Sequence, residues 1–526
     1  MTEQFDIVVA GAGHNSLLAA AYLAKAGFRC LVLEAEASIG GDTATEELTI
    51  PGFRHDSCST AHNLIQSSPT MRNDELKLGE YGLEYVRPDP AVHVPFPDGS
   101  WITQWRDLDR TCHEFAKFSP ADAATYRRMM EEYRSVGPAY ADYRYTPIGW
   151  GPTLTERLAT RPDGAAWLEV VARSSGDVIM EAFEHPHTRA FMLWMATLTL
   201  QPLERPGTGI LAYSLAAGRQ INSWVFPRGG SSALPDALGR LIEEHGGVIQ
   251  TGTRVARLLV ESGRCVGVET ENGDQFRASR GVLSTIHIKH LIDMAPADDW
   301  DPGFSAGVDR WQPGVTLMAA YYSTSEAPRF QVDGGTISPV AVGLPTSPDR
   351  MLRTTEEFES GHPDTHQPVV LALCPSVADE TRAPPDHHTV KILLPQPYEL
   401  VGGPGRWDEI KEEVAGAALQ HLRDYAPNLT DETILASEVK SPLDLERRNA
   451  HNWRGSCHGG DLSPDQTGDR RPVPGWAQHR LPMTGLYQTG ATTHPGGSVS
   501  GAPGRNAAAV MLADLGTSIE EVVGVR

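Results

Sequence analysis

Residues 5–34, FDIVVAGAGHNSLLAAAYLAKAGFRCLVLE, contain the pattern from which the fold follows. The first six residues form a short apolar run, which is typical of a strand buried on both faces of a parallel sheet. Gly11-Ala12-Gly13 predicts a sharp turn after that strand, and Leu17–Ala26 predicts an alanine-rich helix. Arg29–Leu33 then predicts a second buried strand. The stretch therefore predicts one complete βαβ unit.

Each part of this unit has a chemical task. Gly11 permits the tight turn, and Gly13 lets the backbone approach a pyrophosphate at the amino terminus of the helix. Glu34, at the carboxyl end of the second strand, is placed to accept hydrogen bonds from an adenosine ribose. Ser16 stands where the fingerprint has its third glycine, and it is small enough for close helix–strand packing. The pattern favours dinucleotide binding over a purely structural βαβ unit.

Length and charge bound the rest of the chain. With 526 residues the chain exceeds one ordinary core, so we expect two domains. The net charge of −22, without any basic run, argues against nucleic acid as a partner. No apolar run reaches the ~20 residues of a membrane span, although peripheral membrane contact stays open. The oligomeric state is not predicted.

The cysteines and histidines predict neither disulfides nor a metal. The six cysteines are far apart and form no CxxC motif, which suits reduced thiols and a cytoplasmic location. His362 and His366 have the spacing of metal ligands on a helix, but Pro363 between them predicts a loop. His287 and His290 have no carboxylate or cysteine nearby in the sequence. We therefore expect no metal site.

Glycines punctuate the middle of the chain. Gly40-Gly41, soon after the βαβ unit, lets the chain pass close to something flat or charged. Residues 71–222 have a different, mostly helical character, with an amphipathic helix predicted over Pro120–Val136. The sequence pattern of the nucleotide-binding domain resumes just before Gly229-Gly230, and strands are predicted at 254–261 and 265–271. A mixed pattern of strands and helices follows.

The end of the chain has the same order of elements as its beginning, a strand, a glycine-containing loop and a helix. A predicted strand ends at Gly490, the loop that follows contains His494, and Gly501–Asn506 opens a second glycine-rich helix. Two such helix starts at opposite ends fit one cofactor held by both. The chain is thus predicted to form two interleaved domains. The nucleotide-binding domain takes residues 1–70, 223–295 and 446–526, and a substrate domain takes residues 71–222 (mostly helical) and 296–445 (mixed sheet and helix).

These motifs resemble the phytoene desaturase and carotenoid isomerase-like flavoproteins, in the branch that includes the pyridine nucleotide-disulphide oxidoreductase domain-containing proteins. The resemblance is carried by GAGHNSLLAAAYLAKAG at 11–27, Gly40-Gly41, PRGG at 227–230 and THPGGSVSGAPGRNAA at 493–508. It implies an α/β fold of the glutathione reductase and amine oxidase type. In that fold a Rossmann-like FAD-binding domain is interleaved with a mixed α+β substrate domain.

The same resemblance implies FAD as the resident cofactor. Asp42 stands where many relatives have arginine, and its charge would repel a pyrophosphate, so it is not carried over as a ligand. The residues implied to hold FAD are Gly11, Gly13, His14, Asn15, Glu34, Gly40, Gly41, Gly229, Gly230, Val255, Gly490, Gly501 and Asn506.

His494 is the candidate catalytic residue, because the resemblance places its loop beside the isoalloxazine ring. The alternative is that it only holds this loop through a backbone hydrogen bond. Phe191, Met192, Trp194 and Met195 could line an apolar channel or form ordinary core.

The function expected is an FAD-dependent oxidoreductase of the desaturase or dehydrogenase type. It would take hydride from a largely apolar or alicyclic small molecule and pass electrons to oxygen, a quinone or a carrier. Two rivals stay open: a flavin-dependent double-bond isomerase without net redox change, and a non-catalytic scaffold that keeps FAD for stability.

Overall fold

A computed structural model describes residues 4–524 of the chain. Its strands are β1 (Gln4–Ala10), β2 (Cys30–Leu33), β3 (Thr45–Glu46), β4 (His55–Asp56), β5 (Tyr85–Val86), β6 (Val92–Pro95), β7 (Trp101–Gln104), β8 (Phe226–Pro227), β9 (Val248–Gln250), β10 (Val255–Glu261), β11 (Arg264–Thr270), β12 (Gln275–Ser284), β13 (Thr316–Thr324), β14 (Phe330–Val332), β15 (Gly335–Ile337), β16 (Ala341–Leu344), β17 (Val370–Leu373), β18 (His388–Gln396), β19 (Ile434–Lys440) and β20 (Leu486–Gln488).

The helices of the same residues are α1 (His14–Lys25), α2 (Pro69–Arg72), α3 (Leu108–Ala116), α4 (Pro120–Arg144), α5 (Leu154–Ala159), α6 (Gly164–Ala172), α7 (Ser175–Ala182), α8 (Pro186–Thr197), α9 (Leu211–Asn222), α10 (Ala233–Glu244), α11 (Ile288–Leu291), α12 (Pro302–Asp309), α13 (Pro348–Glu359), α14 (Trp407–Arg423), α15 (Pro442–Arg448), α16 (Ala502–Asp514) and α17 (Ile519–Val523). None of these helices is both long enough and apolar enough to cross a lipid bilayer.

The βαβ unit lies at the centre of a seven-stranded sheet, the first sheet. Its order is β10-β11-β12-β1-β2-β9, with β20 paired to the carboxyl end of β12. The strands β20, β12, β1, β2 and β9 run parallel, with Val8 opposite both Val282 and Leu31. Such a sheet is covered on both faces, which is why its central strands are almost uniformly apolar.

Helices α1, α10 and α16 pack together on one face of the first sheet. Helix α1 contacts both α16 and α10. Their shared core includes Leu17 of α1, Leu238 of α10 and Met511 of α16, all essentially without solvent exposure. The first and last helices of the nucleotide motifs are therefore neighbours, which brings the two ends of the chain together.

The second sheet also has seven strands, in the order β19-β13-β18-β17-β16-β6-β7. Helices α4, α8 and α9 share a large hydrophobic core with its β6, β7 and β17 strands, and Trp407 and Leu422 of α14 pack in another core with β13 and β18. The fold is thus the expected α/β fold with a Rossmann-type sheet and a second mixed unit. Where the chain passes between domains, at 70/71, 222/223, 295/296 and 445/446, stays a prediction.

Helix α4 differs from its predicted length. The predicted helix ends at Val136, whereas the observed helix continues through Gly137 and Pro138 to Arg144. Val136 and Ala141, on either side of the proline, are both buried, so packing overrides the local preference for a break. The extra turns carry three side chains, Tyr140, Tyr143 and Arg144, to the wall of a central cavity.

Candidate active site

The candidate site is a cavity of about 1190 Å³ between the two sheets, called here the central cavity. At one end lie the turn after β1 and the carboxyl end of β2. At the other end lie apolar side chains of β13, β17 and β18 and one face of helix α9. Pockets for drug-sized ligands are typically ~300–1,000 Å³, so this volume admits more than one small ligand.

The turn after β1 has the geometry that the glycines predict. Gly11 has φ +96°, and a Cβ there would meet the Cγ2 methyl of Thr285 at 2.4 Å. Its N–H donates to the carbonyl of Leu33 at 2.8 Å, which ties the turn to the end of β2. Ser16, in place of the third glycine, donates its hydroxyl to the carbonyls of Gly11 (2.7 Å) and Gly13 (3.0 Å). The serine therefore braces the turn.

The amino terminus of α1 is open toward the cavity. Gly13 is its N-cap, no side chain caps the helix, and no acidic residue lies in its first turn. A Cβ at Gly13 would meet no protein atom within 4 Å. Uncapped N–H groups and the positive end of the helix dipole form an anion-binding site, and the free space at Gly13 fits a pyrophosphate against the backbone.

Glu34 lies beside this turn. Its Oε2 accepts a hydrogen bond from the N–H of Ala12 at 2.7 Å, and its Oε1 accepts one from the N–H of Glu36 at 2.9 Å. Burial raises the pKa of the Glu34 carboxyl, and the two N–H groups oppose that rise. The side chain thus holds the turn as well as lining the cavity where a ribose is expected.

The double glycine returns to the same turn. Gly40 donates its N–H to the carbonyl of Ala12 at 2.8 Å, and Gly40 and Gly13 form a parallel β-bridge. Gly41 has φ +60°, and a Cβ there would lie 3.4 Å from the Cα of Gly13. Gly40 and Gly41 both line the central cavity, and their position along the cofactor stays a prediction.

His14 and Asn15 connect the turn to both ends of the chain. The Nδ1 of His14 is 2.9 Å from the Thr43 hydroxyl, and its Nε2 is 3.0 Å from the Asn15 amide nitrogen. Burial lowers the pKa of His14 to about 4, so the ring is neutral, accepts from Asn15 and donates to Thr43. Asn15 in turn accepts, through Oδ1, from the N–H of Gly504 at 3.4 Å.

Asp42 is held by amides. Its Oδ1 accepts hydrogen bonds from the Nδ2 groups of Asn449 (3.0 Å) and Asn452 (3.1 Å). These asparagines compensate the carboxylate, although Asp42 still lines the cavity. Neither asparagine stands out in the sequence, because nothing local predicts that residues about four hundred positions apart meet.

The remaining predicted cofactor residues divide into two groups. Val255 and Gly490 line the central cavity. Four others are not among its lining residues. Two of them form hydrogen bonds elsewhere: the Gly229 N–H donates to Asp379 Oδ2 at 2.8 Å, and Asn506 donates to the carbonyl of Arg144 at 3.0 Å. The other two are closely packed, since a Cβ at Gly230 would meet Thr45 and a Cβ at Gly501 would meet Leu18. Their roles toward the cofactor stay predictions.

His494 lines the central cavity and is almost fully buried. Its Nε2 lies 3.1 Å from the carbonyl of Tyr143, while its Nδ1 has no hydrogen-bond partner among residues 4–524. Burial lowers the pKa of His494 to about 3. The ring is therefore neutral, and Nε2–H donates to Tyr143 while Nδ1 is left as a free acceptor. Nε2 is thus available to tether the loop, and Nδ1 is available for a role in the cavity.

The residues that form the apolar end of the cavity differ from the channel candidates predicted from the sequence. Leu317, Leu371 and Leu393 project from the second sheet, opposite Leu211 and Leu215 of α9. The four candidates of α8 are instead fully buried in the hydrophobic core and are absent from the cavity wall: Phe191, Met192, Trp194 and Met195. Of the two alternatives for these residues, apolar channel or ordinary core, the structure agrees with ordinary core.

Residues 4–524 contain no cluster of three or more histidines, cysteines, aspartates or glutamates that could hold a metal ion.

Comparison with known proteins identifies a family whose model matches nearly the whole chain. Residues 17–512 match the model of a family described as flavin containing amine oxidoreductase. Pyridine nucleotide-disulfide oxidoreductase domain-containing protein 2 of Mus musculus is 30% identical, over 97% of this chain and 94% of that protein. A limonene dehydrogenase component of Castellaniella defragrans is 26% identical, over 100% of this chain and 98% of that protein.

One solved structure illustrates the likeness of fold. An oxidoreductase from Methanosarcina mazei superposes with a TM-score of 0.60 at 17% identity, covering 96% of this chain and 99% of that one.

Proposed function

This chain belongs to the family of flavin containing amine oxidoreductases, and we propose that it takes hydride from a largely apolar or alicyclic small molecule, as a dehydrogenase or desaturase does. It is an FAD-dependent oxidoreductase. The observation that carries the proposal is the continuity of the central cavity from the anion-binding turn at Gly13 to the leucine wall at Leu371. A hydrocarbon at the wall and a cofactor at the turn would share one continuous space.

FAD, when bound, supplies the hydride acceptor. The protein supplies binding, orientation and exclusion of water. We propose that Gly11, Gly13 and the open end of α1 hold the pyrophosphate, because a negative group there meets N–H donors without a side chain in its way. Glu34 would accept from the adenosine ribose, and Gly40 and Gly41 would lie along the linking part of the cofactor.

At the reacting end, apolar walls exclude water and His494 contributes a neutral imidazole. His494 would accept at Nδ1 the proton that the substrate loses together with the hydride, or would only hold the loop through Nε2. Desaturation removes a hydride from one carbon and a proton from its neighbour, and the neutral double bond that results needs no charged partner. A wall of leucines is therefore suited to the rest of the substrate. Electrons would leave to oxygen, a quinone or a carrier protein.

The experiment is anaerobic mixing of the flavin-loaded protein with limonene, the molecule in the name of the relative from Castellaniella defragrans. Bleaching of the visible flavin absorbance, followed by re-oxidation with a quinone, is the expected result. One equivalent of quinone reduced per product separates net dehydrogenation from isomerisation. A protein that lacks bound flavin and does not take it up would overturn the cofactor assignment. Flavin that never bleaches with limonene, other terpenes, carotenoids or terpene carboxylic acids would overturn the substrate class.

A further inference from the structure

We propose that Arg219 and Trp224 form a carboxylate-binding subsite at the apolar end of the central cavity, so that the substrate is an apolar molecule with one carboxylate. This inference rests on the proposed function and specifies its substrate class. Both residues line the cavity, and both side chains carry hydrogen-bond donors but no acceptors.

Arg219 is a buried cation without a counter-ion. Its relative exposure is 5%, and it forms no ion pair with any residue of 4–524. Its one hydrogen bond within this range runs from Nη1 to the thioether sulfur of Met195 at 3.2 Å, and a thioether is a weak acceptor. Its Nε is buried with no partner at all among the same residues. An isolated buried charge is strongly disfavoured, so such a group points to a missing anion.

Other buried arginines of the same protein are compensated. The Nη2 of Arg382 lies 2.6 Å from Oδ2 of Asp56. Arg471 donates to the carbonyls of Ala491 (2.9 Å) and Asp461 (2.8 Å), and to further carbonyls beyond these. Neither lines the central cavity. Of these three buried arginines, the one that lines the cavity is thus the one with neither a carboxylate nor a carbonyl oxygen as a partner, which is the arrangement expected if the ligand provides the oxygen atoms.

Trp224 completes the donor set. The guanidinium carbon of Arg219 lies 4.0 Å from its ring centroid, and the indole Nε1 is buried without an acceptor among residues 4–524. The preceding residue, Ser223, has φ +67°, a strained conformation for a residue with a side chain. Asn63 holds it there by donating from Nδ2 to the Ser223 carbonyl at 2.7 Å, and the Ser223 hydroxyl donates to the Pro88 carbonyl. The strained backbone therefore fixes the position of an indole whose N–H is left for a ligand.

The surroundings define the rest of the ligand. Leu211, Leu215 and Arg219 follow each other at four-residue spacing on α9, so they share one face of the helix and all three line the cavity. Leu371 and Leu373 of the second sheet belong to the same hydrophobic cluster as Trp224. One cation in an apolar wall matches one negative charge on an apolar body. Burial lowers the pKa of Arg219 to about 9, which still leaves the guanidinium charged at neutral pH.

The test compares octanoate and dodecanoate with octanamide and dodecanamide by isothermal titration calorimetry on the oxidised holoprotein. A charged hydrogen bond is worth ~1.5–3 kcal/mol, so each acid should bind about tenfold to a hundredfold more tightly than its amide. Arg219→Met should reduce this preference to near unity, and Arg219→Lys should keep part of it. Trp224→Phe, which keeps an aromatic ring beside Arg219 and removes the N–H, should weaken acids more than amides, because a carboxylate is a stronger acceptor than an amide carbonyl.

Melting temperatures distinguish a ligand anchor from a structural cation. Removing an uncompensated charge should leave the Tm of ligand-free Arg219→Met equal to or above that of the wild type. A lower Tm with flavin loss would mark Arg219 as structural and overturn the subsite. So would equal binding of acids and amides, no saturable binding of either acid, or tighter binding of dodecyl phosphate than of dodecanoate.

The proposal of a carboxylate-binding subsite and the proposal of a dehydrogenase can be disproved independently. Limonene that bleaches the flavin, without any preference for acids, removes the subsite only. A preference for acids in a protein whose flavin no substrate bleaches supports the subsite and removes the dehydrogenase.

Discussion

At the scale of single residues, Gly13 is important for the space it leaves. A Cβ there would meet no protein atom within 4 Å, so the apoprotein tolerates a side chain at this position. Any effect of a substitution must then come from the cofactor that shares the space.

Gly13→Glu should abolish flavin retention, because its side chain and negative charge would occupy the place expected for the pyrophosphate. The measurement is the ratio of flavin to protein absorbance after gel filtration. The matched control is Gly416→Glu, at an exposed position of α14 where a Cβ also meets nothing within 4 Å. Full flavin occupancy in Gly13→Glu would contradict the assignment of the turn.

His494 is the second residue whose role can be tested at this scale. His494→Ala should keep FAD and slow flavin reduction by about 10²-fold or more, the usual loss for a positioned polar group. Because burial lowers the pKa of His494 to about 3, the wild-type rate should show no ionisation of this histidine between pH 5 and pH 9. Stopped-flow reduction of the flavin-loaded proteins measures both effects.

Two variants separate the ring nitrogens. His494→Gln preserves a donor in the position of Nε2, which contacts Tyr143, and His494→Asn preserves an acceptor in the position of Nδ1. Faster turnover in the asparagine variant indicates contact with substrate, and in the glutamine variant a loop tether. A rate within about threefold of wild type in His494→Ala would remove the residue from the site.

At the scale of elements, the contact of α1 with α16 joins the two ends of the chain. Gly504 allows this contact, since a Cβ there would lie 2.3 Å from the carbonyl oxygen of Asn15. Asn15 is in the first turn of α1, so the spacing of the two helices and the position of the anion-binding turn depend on each other.

Gly504→Ala should therefore destabilise the protein by ~1–3 kcal/mol and weaken flavin binding, because the helices must separate. Gly416→Ala, the same change in the exposed interior of α14, should stabilise it by up to ~1 kcal/mol through helix propensity. Urea unfolding and flavin retention of both variants give the comparison. A neutral or stabilising Gly504→Ala would show that the helices do not pack as closely as described.

At the scale of the whole molecule, the burial of many histidines makes the stability of the protein depend on pH. Burial lowers the pKa of seven histidines within residues 4–524 to about 3 or about 4: His14, His55, His62, His93, His458, His479 and His494. In the unfolded chain a histidine has a pKa of ~6.5. The native state therefore excludes protons that the unfolded state binds.

Stability should fall as the pH falls below about 6.5, since only the unfolded state gains protons between that value and the native pKa values. Each histidine contributes a slope of up to ~1.4 kcal/mol per pH unit, and its stabilisation is fully present above pH ~6.5. Differential scanning calorimetry from pH 8 to pH 5 measures the effect. His93→Gln, which replaces a buried histidine of β6 outside the cavity, should make the dependence shallower. A constant Tm from pH 7.5 to pH 5 would contradict this account.

Local sequence preferences were enough to predict the βαβ unit and dinucleotide binding, and the resemblance carried by short motifs supplied FAD and the family. Gly11, Gly13 and Glu34 belong to one short stretch, and their turn, helix and strand preferences are properties that act over a few residues. The motif at 493–508 is similarly local, and the resemblance joins it to the first. Ser16 also follows from local chemistry, since its hydroxyl satisfies carbonyls within five residues of itself.

Long-range packing, by contrast, decided which residues form the cavity wall and which chemical groups its apolar end can bind. Helix α4 runs through Pro138 because buried neighbours outweigh a local breaker, and this carries Tyr143 to His494. Arg219 is ordinary in the sequence, and only the folded chain reveals that its Nε has no acceptor among residues 4–524. Such features depend on contacts between residues far apart in the chain, and local preferences carry no information about which of those contacts are made or left empty.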